Sequence, residues 1–89
     1  MEAAYEKHVP VIEQHLDSVT VKVGSVLHPM MEQHYIELIV LETVTGYQRV
    51  DLKPGDAPIA SFAVTEPVVA AYEYCNLHGL WKEEVAEAY

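Results

Sequence analysis

The chain holds one cysteine, one tryptophan, one phenylalanine and only five lysines and arginines in 89 residues. A single thiol cannot pair within its own chain, so a disulfide framework is excluded. A lone thiol suits a reducing compartment, or protection by a bound metal. No apolar run approaches the ~18–20 residues that a helix needs to span a bilayer. No charged leader followed by an apolar stretch opens the chain, so no secretory signal is visible and the expected setting is soluble and cytoplasmic. Five bases against 14 acids give a formal charge of −9. That balance argues against nucleic acid and anionic membrane surfaces, which both need basic patches. It would also repel a small anion at long range, so any anion chemistry depends on a local positive site. No segment carries a clean helical stripe, and there is no internal repeat, low-complexity tract or dividing linker.

What the chain does have is alternation. Residues 1–89 read as one domain, near the small end of the range that folds alone, and about half of them are hydrophobic. Ser18-Val19-Thr20-Val21-Lys22-Val23 alternates strictly, with the valines on one face. Tyr35 to Glu42 is rich in β-formers, and Thr45-Gly46 offers a hairpin turn into Tyr47 to Leu52. Lys53-Pro54-Gly55-Asp56-Ala57-Pro58 is a loop by its turn chemistry. Ile59 to Val64 and Val68 to Tyr74 read as two more strands. A helix is conceivable at Ala70-Ala71-Tyr72, but Val68-Val69 and Tyr74 favour a strand. Five or six short strands at spacings near ten residues predict an all-β fold, an immunoglobulin-like antiparallel β-sandwich. Glu83, Glu84 and Glu87 read as a solvated tail.

Metal-ligating residues concentrate in three short segments: His8; His28 and His34; Cys75 and His78. The set uses the only cysteine and four of the five histidines. His8 is expected in an extended segment that Pro10 keeps out of helix. His28 falls in the loop from Gly24 to Gln33, and His34 enters the next strand. Cys75 ends the last predicted strand, with Asn76-Leu77-His78-Gly79 as the loop beyond. Two residues between Cys75 and His78 let one turn aim both donors at one ion. Any one of these residues alone is better read as a surface histidine or a small buried thiol. Together they point to a metal site on loops at one end of the sandwich, where ligands converge without disturbing the core. Four imidazoles and a thiolate are one donor more than a closed tetrahedral zinc site takes, and on an ion that prefers six ligands they leave one position open. Imidazole suits iron, copper, nickel and zinc, so the spacing does not choose among them. His15, in a polar segment, reads as a surface residue.

The order and separation of these segments resemble the iron domain of the superoxide reductase family, which includes desulfoferrodoxin and neelaredoxin. The resemblance runs from Glu6-Lys7-His8-Val9-Pro10-Val11-Ile12 through Val21-Lys22-Val23-Gly24, His28-Pro29-Met30, His34-Tyr35-Ile36 and Leu52-Lys53-Pro54-Gly55-Asp56. It ends at Cys75-Asn76-Leu77-His78-Gly79-Leu80-Trp81-Lys82. It implies a mononuclear non-haem iron, cycling between Fe2+ and Fe3+, with His8, His28, His34 and His78 as equatorial ligands and Cys75 as the axial thiolate. The implied reaction is one-electron reduction of superoxide to hydrogen peroxide, with the electron drawn from a separate donor such as rubredoxin. Glu6 would match the carboxylate that occupies the open position, and Lys7 the cation that attracts superoxide. Backbone N–H groups of Leu77 and His78 are the expected donors to the sulfur, and a homodimer is expected. The alternative is a non-catalytic metal-binding or electron-transfer domain with iron or zinc at the same ligands. Relatives of the desulfoferrodoxin type carry an N-terminal rubredoxin-like domain with four cysteines, absent here, so a one-iron form or an excised domain is expected. Met31 and Gln33 stand where relatives usually have acids, and Met30 and Met31 would meet the peroxide formed.

Overall fold

The computed structural model describes residues 7–85. Seven strands run in the order β1(Pro10–Gln14), β2(Ser18–Val23), β3(Ile36–Thr43), β4(Gly46–Asp51), β5(Ile59–Ala63), β6(Val68–Cys75) and β7(Gly79–Glu84). All pairings are antiparallel, and they build a three-stranded sheet ordered β1-β2-β5 against a four-stranded sheet ordered β4-β3-β6-β7. This is the expected all-β, immunoglobulin-like sandwich.

Alternation explains how the two layers close on each other. In β2 the in-facing Val19, Val21 and Val23 are fully buried, while Thr20 and Lys22 face outward. They meet Ala60 and Phe62 from β5 and Ile36, Ile39 and Leu41 from β3 in one core. Ile36 and Ile39 are three apart, so strict period-two alternation would put them on opposite faces. A register shift between Ile36 and Leu38 against β6 inserts one residue and turns both isoleucines inward. Burial of such side chains contributes roughly 1.5–3 kcal/mol each.

Two strands escaped the sequence reading. β1 was expected only as an extended segment, yet it pairs with β2 from Pro10↔Val23 to Gln14↔Val19. Pro10 opens this edge strand, where its missing N–H removes nothing from the ladder. β7 takes in Glu83 and Glu84, which pair with Ala71 and Ala70 and so are not a tail. Its sequence hid it: an edge strand exposed on most of its length needs no apolar stripe, and its charges guard the edge. Glu87 lies outside the described residues. Cys75 therefore ends the sixth strand, and the last one follows.

The register also fixes which end of the sandwich carries the candidate ligands. Pro10↔Val23 closes one end of the first sheet. Ile36↔Cys75 and Cys75↔Gly79 close the same end of the second, and β1 lies against β6 and β7 across the interface. Every candidate ligand sits on or just beyond this rim.

Candidate metal centre

His8 immediately precedes β1. Lys7 and His8 have helical backbone, and the chain bends at Val9 before entering β1. The expectation that Pro10 keeps His8 extended is thus not met: His8 is helical, and only Val9 is not. Proline disfavours helix only for the residue directly before it, so Val9 leaves the helical region while His8 does not. The Gly24 N–H donates to the Val9 carbonyl at 3.1 Å, which ties this segment to the end of β2.

His28 and His34 belong to the loop between β2 and β3. Gly24 starts that loop with a φ of 88°, a left-handed conformation that glycine adopts without strain. The loop is anchored twice by Met30: its carbonyl accepts from Gly55 N–H at 2.9 Å, and its sulfur accepts from Ile36 N–H at 3.3 Å. Met31 and His34 then exchange two backbone hydrogen bonds of 2.9 Å. His34 is therefore held by an isolated bridge and not, as expected, by β3 itself, which begins at Ile36.

Cys75 ends β6 and His78 is the last residue of the three-residue connection to β7, Asn76-Leu77-His78. Cys75 pairs with Gly79 across it, and Gly79 has a φ of 83°. A three-residue hairpin loop closed by a left-handed glycine is a standard tight connection. It brings His78 Nδ1 within 3.8 Å of Cys75 Sγ.

The donors converge. One atom from each of His8, His28, His34, Cys75 and His78 lies within 4.8 Å of every other. His8 Nε2 is 3.0 Å from both His28 Nε2 and His78 Nδ1, and Cys75 Sγ is 3.6 Å from His28 Nε2. His28 Nδ1 donates to the Pro29 carbonyl at 2.7 Å. A carbonyl only accepts, so the proton of a neutral His28 sits on Nδ1 and its lone pair on Nε2 faces the cluster. One N–H on His8 could serve only one of its two close nitrogens. Among the described residues His34 Nε2 is buried with no hydrogen-bond partner. Lone pairs crowded to 3.0 Å, with a buried orphan beside them, are costly unless a cation sits among them. The donor set fits a metal ion, and mixed imidazole and sulfur ligands suit a first-row transition metal.

Electrostatics agree with that chemistry. Burial pulls His28 down to about 4, against its hydrogen bond to Pro29, and the neighbouring histidines lower it further. His34 is also lowered, first by burial, then by His78, His8 and the ammonium of Lys7. Rings that stay neutral keep their lone pairs available for a metal. Lys7 itself is exposed, and Glu6 lies outside the described residues. Of the five donors only His78 is exposed, so the cluster opens to solvent on its side. His15 is exposed, as expected of a surface residue, and is not among the clustered donors.

The sulfur's surroundings differ from expectation. Among the described residues the polar atoms nearest the sulfur are His28 Nε2 at 3.6 Å and His78 Nδ1 at 3.8 Å, members of the same donor set, and no backbone N–H of Leu77 or His78 bonds to it. The tight turn directs the ring of His78, rather than its amide, at the thiol.

Three supporting residues were not singled out from the sequence. Asn76 bonds to Tyr35 and Gln33, joining the loop that carries His34 to the turn that carries Cys75 and His78. Trp81 packs on His8. Glu73 is fully buried two residues before Cys75, with both carboxylate oxygens unpartnered among the described residues, and burial pushes its pKa up to about 8. The one signal for Glu73 was an acid at an in-facing position of an alternating strand, with Ala71 and Cys75 on either side.

A family model described as desulfoferrodoxin matches residues 1–84. A desulfoferrodoxin homolog of Archaeoglobus fulgidus is 57% identical over 77 residues, covering 86% of this chain and 62% of that protein. The chain thus spans less than two thirds of that relative's length. The crystal structure of the superoxide reductase from Treponema pallidum aligns with a TM-score of 0.88 at 49% identity, covering 94% of this chain and 70% of that one. The superoxide reductase (1Fe-SOR) from Giardia intestinalis aligns at 0.76 and 34% identity, covering 90% of this chain and 97% of that one.

Proposed function

Because the chain belongs to the desulfoferrodoxin family, we propose that it is a superoxide reductase, holding one iron between His8, His28, His34, His78 and Cys75. The observation that carries this reading is the convergence of those five donor atoms within 4.8 Å. When bound, the iron supplies the one-electron step by which superoxide, with two protons, becomes hydrogen peroxide.

The chain's own residues do the rest. Four neutral imidazoles and one thiolate together carry a charge of −1, so a divalent ion leaves the site at a net +1. Lys7, exposed next to His8, adds a second positive charge. Superoxide approaching a chain of formal charge −9 meets repulsion at long range, screened beyond about 8 Å at physiological ionic strength. Inside that distance the local positive charge dominates and draws the anion to the open side at His78. His28 holds its Nδ1 proton on the Pro29 carbonyl, which keeps its ring oriented and its Nε2 free to ligate. Glu6 is the proposed occupant of the open position in the absence of substrate.

The electron comes from a separate one-electron carrier, a rubredoxin in the simplest case, and the domain works as a cytoplasmic homodimer. The test is anaerobic reduction of the iron-loaded protein followed by a pulse of superoxide. Peroxide without oxygen is the expected product. Oxygen in dismutation proportion, or no consumption of superoxide, would overturn the reading in favour of a non-catalytic metal domain. A zinc-held structural site would be colourless and inert in the same assay.

A further inference from the structure

Trp81 is the only tryptophan in the chain, and it touches the cluster from both ends of the sequence. Its indole lies nearly parallel on the His8 imidazole, with ring centroids 4.8 Å apart and planes at 19°. Its Nε1–H donates to the backbone carbonyl of His78 at 3.2 Å. His8 and His78 are separated by 70 residues and enter from different sheets, yet His8 Nε2 and His78 Nδ1 stand 3.0 Å apart. Nothing in the strand ladders sets that spacing, because neither histidine lies in a strand.

We propose that Trp81 is a positioning residue that clamps His8 to His78 and sets the spacing of these two donors. This rests on the reading of both as metal ligands. The stack fixes the tilt of the His8 ring and screens one of its faces, consistent with an exposure of only 2%. The hydrogen bond fixes the His78–Gly79 peptide, just where Gly79 takes its left-handed turn. An indole face also attracts positive charge, so it favours the ligating imidazole, polarised by a cation, over the neutral ring. Trp81 thus strengthens binding without contacting the ion. Its place in β7, three residues beyond His78 and paired with Glu73, is what delivers the ring to His8.

The single tryptophan gives a direct readout. Cobalt(II) is titrated into the metal-free 89-residue chain, following the thiolate-to-metal band from Cys75 and the Trp81 emission together. The expected result is that both signals saturate together, with emission strongly quenched. Trp81→Leu, which loses stack and hydrogen bond, is expected to weaken cobalt(II) affinity by about 10- to 100-fold, the usual cost of losing an outer support of a metal site. Trp81→Phe keeps an aromatic face but no N–H, and is expected to recover most of that loss. Circular dichroism of the metal-free variants separates weak binding from failure to fold. A Trp81→Leu variant that binds like wild type overturns the clamp, as does a wild-type emission unmoved while the thiolate band appears. A wild-type protein that shows no thiolate band at all overturns the metal reading, and the clamp with it.

Discussion

Tyr35 and Asn76 hold each other across the mouth of the cluster by two hydrogen bonds. The Tyr35 N–H donates to Asn76 Oδ1 at 2.9 Å, and the Asn76 N–H returns to the Tyr35 carbonyl at 3.2 Å. Asn76 Nδ2 adds a third, to the Gln33 carbonyl at 3.2 Å. One side chain thus locks the loop carrying His34 to the turn carrying Cys75 and His78.

Removing that lock has a graded outcome. Asn76→Leu deletes two side-chain hydrogen bonds, each contributing about 0.5–1.5 kcal/mol net, so the metal-free protein is expected to lose about 1–3 kcal/mol in urea unfolding. Asn76→Asp keeps the acceptor for Tyr35 but sets an oxygen against the Gln33 carbonyl. Its loss should fall between wild type and Asn76→Leu at pH 5. Equal stability of all three chains would show that the lock contributes nothing.

Acid should destabilise the metal-free protein through His28. Burial lowers this imidazole from 6.5 to about 4. The unfolded chain therefore takes up a proton as pH falls through 6.5, while the folded chain takes it up only near 4. The stability that neutral His28 contributes is complete above 6.5 and is lost progressively down to about 4. The urea midpoint of wild type should fall across that window more steeply than that of His28→Gln, which cannot titrate there. A metal on Nε2 opposes protonation and should shift the loss to lower pH.

Glu73 works in the opposite direction. Its carboxyl is fully buried and unpartnered among the described residues, and burial raises it from 4.5 to about 8. The folded state keeps the proton longer than the unfolded state, so stability is complete below 4.5 and is lost as pH rises to about 8. Glu73→Met fills a similar volume without a charge to desolvate. Its advantage over wild type in the metal-free protein should grow between those two pH values and stay flat above. At pH 8.5 the gain should reach at least about 1–3 kcal/mol, the cost of an unsatisfied buried polar group. A pH-independent difference would mean that Glu73 finds a partner in solution.

These contrasts mark what the sequence could and could not carry. Val19, Val21 and Val23 announced a strand and its buried face, and the five clustered donors announced themselves by residue type and spacing. β7 was silent because Leu80, Lys82, Glu83 and Glu84 are exposed on an edge, where neither alternation nor hydrophobicity is required. The bulge at Glu37 was equally hidden, since Ile36 to Leu41 is apolar at nearly every position and any register reads as a strand. Asn76 and Trp81 act only through partners far away in sequence. Asparagine in a loop and tryptophan in a strand are ordinary until the fold sets Tyr35 beside one and His8 beside the other.

Lys7 offers a test in which the sign, and not only the size, of an effect is at stake. It is exposed, and its ammonium is felt at His34, whose protonation it disfavours. On the proposed function, two fields would act on an incoming superoxide: attraction from Lys7 and the metal at short range, and repulsion from a formal charge of −9 spread over the chain. Added salt screens both, and the distant charges most completely. In Lys7→Ala the attraction is weakened while the repulsion remains, so the bimolecular rate with superoxide should drop by about threefold to tenfold at low ionic strength. Raising the salt should then narrow the gap to wild type, because repulsion is what the variant has most to lose. Pulse radiolysis at several ionic strengths measures both quantities. A rate and a salt slope matching wild type would remove Lys7 from the approach of the substrate and leave the metal's own charge to draw it in.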